Sequence, residues 1–432
     1  EIMPSLVGSE MCIRDRQETE KEHEDILEQA DETDAVFGEL YSWYLRNPEY
    51  RSRVQKLVQS AFAGKPEDII SQSVAKALYG EVSPYSATRL ERFAACAFAH
   101  FLQYGMKLTE RVEYEFKPMD MGNVMHEALE SFAEEVRKRG MKWTELTEQE
   151  RNEIADRCLD NIVADYGNTV LKSSARNEYM IERTRRILRR TVWALQKQLE
   201  QGEFQPEGFE VTFGGGRIDR VDIMEDQNKV YVKVIDYKTG NTSFDLVYLY
   251  HGLQLQLMIY LDGALRVEQK KYPDKEIIPA GVFYYNIKDP MIQEKIDADV
   301  KAVSAGLMKE LKMNGLVQAD PELVYRMDSS LGSIPVAFNK DGSFRKNSSV
   351  ADRTQFAVLG RYVRTKIEKI RSSILEGDAE VSPYELGKKN ACTYCPYMTV
   401  CGFDRRLSGY EFRRLKNFSD EELWKAFDRE AE

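Results

Sequence analysis

The 432-residue sequence predicts an α/β protein built on a small mixed sheet flanked by helices. Three observations carry that expectation. Near residue 210 the apolar spacing changes from three- and four-residue intervals to alternation. Three short runs follow, at residues 210–213, 217–223 and 230–238, joined by Gly214-Gly215-Gly216 and by the polar turn Glu225-Asp226-Gln227-Asn228, which is the pattern of a hairpin meander. A helical stretch from about residue 248 to 270 then precedes a further strand at 280–287. Helix, three strands, helix and strand in that order predict an α/β sandwich.

The remaining elements follow in order. Residues 1–16 resemble a translated sequencing adapter and are set aside, so Cys12 carries no weight and the native chain is expected to start upstream. Residues 17–80 read as helical, anchored by Phe37, Leu40, Tyr41, Tyr44 and Leu45 at helical spacing. A turn at residues 83–86 leads to a helix with Ser86 and Thr88 as capping candidates, and that helix carries Cys96. The next helix is expected over residues 120–139, from Asp120 as N-cap to a stop at Gly140. Its apolar stripe is Met121, Val124, Met125, Ala128, Leu129, Phe132 and Val136, and His126 lies beside it. Residues 143–203 read as charged helices. Their arginine-dense run, 183–190, is either a solvated face or a DNA-backbone contact. Residues 339–343 form a turn, a long helix spans 353–376 and stops at Gly377, and residues 406–432 read as a charged tail.

Composition narrows the function. With 61 Lys+Arg against 72 Asp+Glu the net charge is −11, which argues against a free-standing, non-specific nucleic-acid coat but leaves room for a local basic groove. The sequence shows no membrane-length apolar run and no signal peptide, so a soluble cytoplasmic protein is expected. It contains no phosphate-binding loop of the G-x-x-x-x-G-K-[ST] type.

Val230, Val232, Val234, Asp236 and Lys238 share one strand face, which begins aliphatic and ends in a carboxylate and an ammonium. Burying those two is costly unless they form an ion pair or hold something. A divalent metal and a scissile phosphate fit that second description, and Mg²⁺ is commonly held by one or two carboxylates. Asp219 is the candidate second carboxylate, since it shares a face with Val221 and Ile223 on the neighbouring strand; Asp222 falls on the other face and reads as a surface or turn residue. Separately, Cys392, Cys395 and Cys401 form C-x2-C-x5-C. Tetrahedral zinc and a [4Fe–4S] cluster both require a fourth ligand, for which Cys96 is a better candidate than the mid-helix Cys158.

Gly216-Arg-Ile-Asp219 followed by Ile235-Asp236-Tyr237-Lys238-Thr-Gly resembles the G-x-I-D … D-Y-K-T-G signature of the RecB-like branch of PD-(D/E)XK nucleases. Gly122–His126 resembles its upstream G-x-x-x-H helix, and Gln256–Tyr260 its downstream Q-x-x-x-Y helix. The resemblance implies that His126, Asp219, Asp236 and the main-chain carbonyl of Tyr237 ligate Mg²⁺. It further implies that Lys238 orients the attacking water, and that Gln256 and Tyr260 support the site or hold DNA. Glu210 matches an acidic position of the same branch.

One cysteine before these motifs and three after them is similar to the iron–sulfur staple of AddB-type subunits of helicase-nucleases, as are residues 86–108, 281–290 and 381–384. That family usually has Cys-Pro where this chain has Cys96-Ala97. The likeness implies a nuclease domain over residues 81–405, a [4Fe–4S] cluster on Cys96, Cys392, Cys395 and Cys401, and a helical remnant of a helicase-like domain at 17–80. The function it implies is Mg²⁺-dependent DNA exonuclease activity during double-strand-break repair, with DNA and an AddA-type helicase-nuclease subunit as partners in a heterodimer. A catalytically idle DNA-binding module and a structural zinc site are the alternatives. A free-standing RecB-like nuclease fits the extra helices and the size less well.

Overall fold

The central sheet comprises β1 (Gln205–Phe213), β2 (Gly216–Asp226), β3 (Lys229–Lys238), β4 (Glu276–Asn286), β5 (Asn314–Gln318) and β6 (Val350–Ala351), hydrogen-bonded in that order. β1, β2 and β3 form the expected antiparallel meander, β4 runs parallel to β3, β5 antiparallel to β4, and β6 parallel to β5. This mixed α/β sheet is seen in a computed structural model that describes residues 27–61, 69–80, 86–109, 118–165, 174–214, 216–292, 299–407 and 409–431. The segment read as adapter-derived lies outside the described residues. No described helix is long and apolar enough to cross a membrane.

Helices cover both faces of the sheet. On one face lie α1 (Ala87–Ala95), α5 (Gln256–Lys271), α7 (Arg353–Glu376) and α8 (Asp420–Ala431), packed on Val230, Val232 and Val234. On the other lie α2 (Pro118–Lys138), α3 (Glu148–Asp165) and α4 (Ala175–Leu199), packed on Tyr231, Ile235 and Tyr237. Period-two alternation therefore feeds two separate cores, and a strand rich in β-branched residues suits burial on both sides. A further helix, α6 (Val300–Glu310), precedes β5.

Local signals account for most boundaries. Ser86 caps α1 by accepting from Arg89 N at 3.3 Å. α7 starts with a capping box at Asp352 and Gln355 and ends at Gly377, whose φ of 93° is open to glycine, and a Cβ there would lie 2.0 Å from Ile70 O. The stretch expected as one helix over 248–270 is divided. A short helix, Leu246–Tyr250, ends at Gly252 (φ 78°), and α5 begins at Gln256. Within the segment expected as a charged tail, α8 buries Leu423, Ala426 and Phe427 against α7.

Asp222, read from the sequence as a surface or turn residue, is fully buried. Its carboxylate accepts from Arg220 at 2.5 and 2.9 Å and lies 2.8 Å from Lys233 Nζ, with the Arg220 guanidinium over the Trp143 and Phe209 rings. The face opposite Asp219 is not solvent, because α2–α4 cover it. Burial pushes the Asp222 carboxyl upward, but Arg220 and Lys233 outweigh this and hold it below the usual range. Asp222→Ala would leave two buried cations without their counter-charge. We expect a loss of about 3–5 kcal/mol of stability, read as a lower urea midpoint at pH 7, and an unchanged midpoint would refute the structural role. Because the carboxyl is depressed, the parent's contribution is present above the ordinary aspartate range and lost as pH falls through the folded value.

Candidate active site

The site forms where the C-terminal end of β3 meets β2, β1 and the first half of α2. Asp219 on β2 is buried and accepts the Tyr237 amide of β3 at 2.7 Å, which fixes its carboxylate across the hairpin. His126 on α2 brings Nδ1 to 3.3 Å from Asp219 Oδ2 and 3.9 Å from Glu210 Oε1. Glu210 sits opposite Asp219, between the cross-strand pairs Phe209↔Arg220 and Val211↔Ile218. Its φ of 49° is rare for a non-glycine residue, and such strain persists only where surrounding structure enforces it. The donor atoms of His126, Glu210 and Asp219 lie within 4.8 Å of one another. In the sequence Glu210 rests only on a pattern match, while cross-strand pairing places it beside Asp219.

Asp236 and Lys238 stand next to this triplet. Lys238 Nζ is 2.6 Å from Asp236 Oδ2, donates to Gln256 Oε1 at 2.7 Å and lies 5.4 Å from the centre of the Tyr284 ring. Gln256 in turn donates to Tyr260 Oη at 2.9 Å. The sequence reading brings together His126, Asp219, Asp236, Tyr237, Lys238, Gln256 and Tyr260, and the fold places all of them at this one edge. Asp236 is paired with Lys238 rather than joined to the three-donor group.

Sequence reasoning missed Glu91. Its carboxylate, on α1, accepts the Leu255 and Gln256 amides at 2.7 and 2.9 Å, so it caps the start of α5 at the residue that holds Lys238. No local pattern marks it, since its partners lie 164 and 165 residues away.

Crowded carboxylates in a desolvated corner titrate abnormally. Burial, then repulsion from Asp219, raises Asp236 to about 7 despite Lys238. Burial and Asp219 likewise raise Glu210 to about 7 against the pull of Arg217. Burial raises Glu91 to about 7, opposed by the two amides it accepts. Burial lowers His126, but its hydrogen bond to Asp219 and the charges of Asp219, Asp236 and Glu210 outweigh that and raise it. Two carboxylates and an imidazole that repel or polarise one another across a few ångströms form a hard-donor set which a divalent cation would neutralise.

A second convergence lies at the far end of α1. Cys96, Cys392, Cys395 and Cys401 line one small pocket with apolar walls that include Phe98, Val381 and Phe403. All four are free thiols. Burial raises Cys96, opposed by backbone hydrogen bonds from Ala99, Ser382 and Phe98. Burial and the three other sulfurs push Cys392 up to about 12. Cys158 is elsewhere, in the core beneath α2.

The raised carboxyls make a signed prediction. Glu210 and Asp236 bind protons more tightly folded than unfolded, so their contribution to the metal-free fold is present below the ordinary carboxylate range and lost as pH rises through about 7. In chelator, Glu210→Gln should therefore raise Tm at pH 8 by about 1 °C or more and change it less at pH 5, given roughly 1.5 °C per kcal/mol for a unit of about 320 residues. Equal shifts at both pH values would refute the charge crowding.

Comparison with known proteins identifies the family. Residues 84–402 match the PD-(D/E)XK nuclease superfamily. The chain is 41% identical over 419 residues to the B-type subunit of the ATP-dependent helicase/deoxyribonuclease of Lachnoclostridium phytofermentans, covering 92% of this chain and 36% of that protein. It is 33% identical over 425 residues to the protein of the same name from Thermoanaerobacter pseudethanolicus, covering 93% of this chain and 37% of the relative. For the Clostridium acetobutylicum protein, again of that name, the figures are 33% over 423 residues, 92% and 36%. The chain thus spans little more than a third of the length of the curated relatives it matches. On the sequence match and the fold together, this chain belongs to the PD-(D/E)XK nuclease superfamily.

Proposed function

We propose that this chain carries a Mg²⁺-dependent DNA exonuclease domain of an AddB-type helicase-nuclease subunit, with an AddA-type subunit as partner. The observation that carries the reading is the grouping of His126, Glu210 and Asp219 beside the Asp236–Lys238–Gln256 chain of contacts. Phosphodiester hydrolysis needs a barrier reduction toward the upper end of the ~8–23 kcal/mol that enzymes supply. Mg²⁺ held by His126, Asp219 and Asp236, with the Tyr237 carbonyl and with Glu210 at hand, would supply Lewis acidity and an activated water. Lys238, already oriented by Gln256 and Asp236, is placed to stabilise charge on a phosphate oxygen or to orient the nucleophile. Tyr260 fixes the Gln256 amide that keeps Lys238 in place. The names of the relatives support a DNA substrate and a second subunit.

The four-thiol pocket is proposed to hold a [4Fe–4S] cluster. Iron–sulfur clusters take thiolates, and the backbone donors aimed at Cys96 offset part of the burial that disfavours that form without metal. A cluster there would close a loop of about 300 residues, for which the chain-entropy relation for disulfides gives an upper figure of roughly 5–6 kcal/mol. Residues 81–405 are proposed as the nuclease unit, and 17–80 as the end of a preceding helical domain.

Incubating the chain with labelled single-stranded DNA and Mg²⁺ should release short products, and Asp236→Ala should abolish them. Binding without cleavage in any divalent metal would instead favour a catalytically idle DNA-binding module. Cys96→Ala should lose iron and visible absorbance and melt at a lower temperature. Bound zinc with no visible band in the parent would replace the cluster by a zinc site.

A further inference from the structure

The candidate active site leaves unused a stripe on α4. Tyr179, Arg183, Arg186, Arg190 and Trp193 recur at alternating four- and three-residue intervals and so share one helix face, over about 21 Å at ~1.5 Å per residue. Together with Arg151 they line a groove of about 660 Å³ whose opposite side includes Val300, Val303 and Leu307 of α6. Six arginines and two glutamates line it, so the groove is locally basic in a chain of net charge −11.

Some of that charge is already matched. Arg185 pairs with Asp156, Asp160 and Glu182, Arg189 with Asp156, and Arg186 with Asp289. Arg151, Arg183 and Arg190 form no ion pair among the described residues. Arg151 is only 6% exposed, donates to Gln196 Oε1 at 2.6 Å, and leaves its Nε without a hydrogen-bond partner. Glu148 and Glu200 act on this guanidinium electrostatically without pairing with it, and a buried guanidinium whose Nε stays unpartnered is unfavourable unless a further group completes it. Arg190 lies 5.5 Å from the centre of the Trp193 ring, and Tyr179 is 64% exposed at the other end of the stripe.

We propose that this groove binds single-stranded nucleic acid, with phosphates on Arg183, Arg186 and Arg190 and bases stacked on Tyr179 and Trp193. A track of guanidinium groups with an aromatic ring at each end suits an unpaired strand, since its bases are free to stack and its phosphates are evenly spaced. Trp193 also packs on the core, but an acidic peptide would use the arginines and leave the exposed Tyr179 ring without a role. The groove also leads toward the nuclease edge. Asp289, the partner of Arg186, lies two residues beyond Ile287, whose amide donates to Lys238 O at 2.7 Å. The inference deepens the nuclease reading and rests on it for the direction of the strand, though not for the binding itself.

The test measures affinity of the full chain for a fluorescent single-stranded oligonucleotide in EDTA, where no metal-dependent cleavage occurs, across a salt series. Arg183→Glu and Arg190→Glu should each weaken binding by about tenfold or more and flatten the log–log salt dependence by about 0.7 per lost phosphate contact. Tyr179→Ala should weaken it by about fivefold or more, since one stacked base contributes ~1–3 kcal/mol. Lys425→Glu, which makes the same change in net charge at an exposed position of α8, should bind as the parent does. Arginine variants with the parent's affinity and salt slope would overturn the proposal, and selective loss of an acidic protein partner in those variants would do the same. A parent that binds through the groove but releases no products in Mg²⁺ sinks the nuclease reading and keeps the groove; cleavage with binding unchanged in the variants does the reverse.

Discussion

Like charges held out of water at one end of a sheet are the constraint on which the rest of this structure depends. Asp219, Glu210 and Asp236 crowd around His126, with Lys238 paired to Asp236 and Arg217 to Glu210, and burial and mutual repulsion still raise the Glu210 and Asp236 carboxyls toward neutrality. Such an arrangement is unfavourable by itself, and two separate cores hold it in place. Each group is also tied individually: Asp219 by the Tyr237 amide, Lys238 by Gln256, and Gln256 by Tyr260 and the Glu91-capped start of α5. Strain at Glu210 fits the same picture, since a left-handed backbone inside a strand survives only when its neighbours leave no alternative.

The other end of the same hairpin shows the contrast. Asp222 is as deeply buried as Asp236, yet Arg220 and Lys233 contact it and its carboxyl is depressed rather than raised. Two cations in contact with one anion hold the Asp222 carboxyl low. At the candidate site the carboxylates repel one another and are raised instead. The opposite signs of the two shifts separate the two groups of buried charges, although Asp222 and Asp219 lie on the same strand.

Much of this was legible in the sequence because it is local. Alternation located β1–β4, Ser86 and Gly377 set helix ends, and the paired motifs brought His126, Asp219, Asp236, Lys238 and Gln256 to one edge. What escaped the reading depends on tertiary cover. Asp222 was assigned to a surface because alternation distinguishes two faces but not whether the second is wet; α2–α4 decide that. The division of residues 248–270 hinges on a positive φ at Gly252, which a single glycine in a helical pattern does not announce. β5 and β6 are too short to show alternation, and Glu91 acts on partners more than 160 residues away.

Glu91 also links the two candidate metal-binding regions mechanically. It sits on α1, and α1 ends at Cys96, whose amide donates to Arg92 O. The thiol pocket, at the end of α1, and the cap on α5, at the middle of α1, are therefore carried by one nine-residue helix. Rotating or sliding α1 would move Glu91 away from the Gln256 amide, and Gln256 holds Lys238. A group bound at Cys96 and at the distant Cys392, Cys395 and Cys401 would fix α1 against residues 392–401 and so fix the register of Glu91 on α5. Such a group would act on more than stability, because the thiol pocket sits one helix away from the lysine at the candidate catalytic edge and a constraint on Cys96 would pass along a short stretch of helix to Glu91.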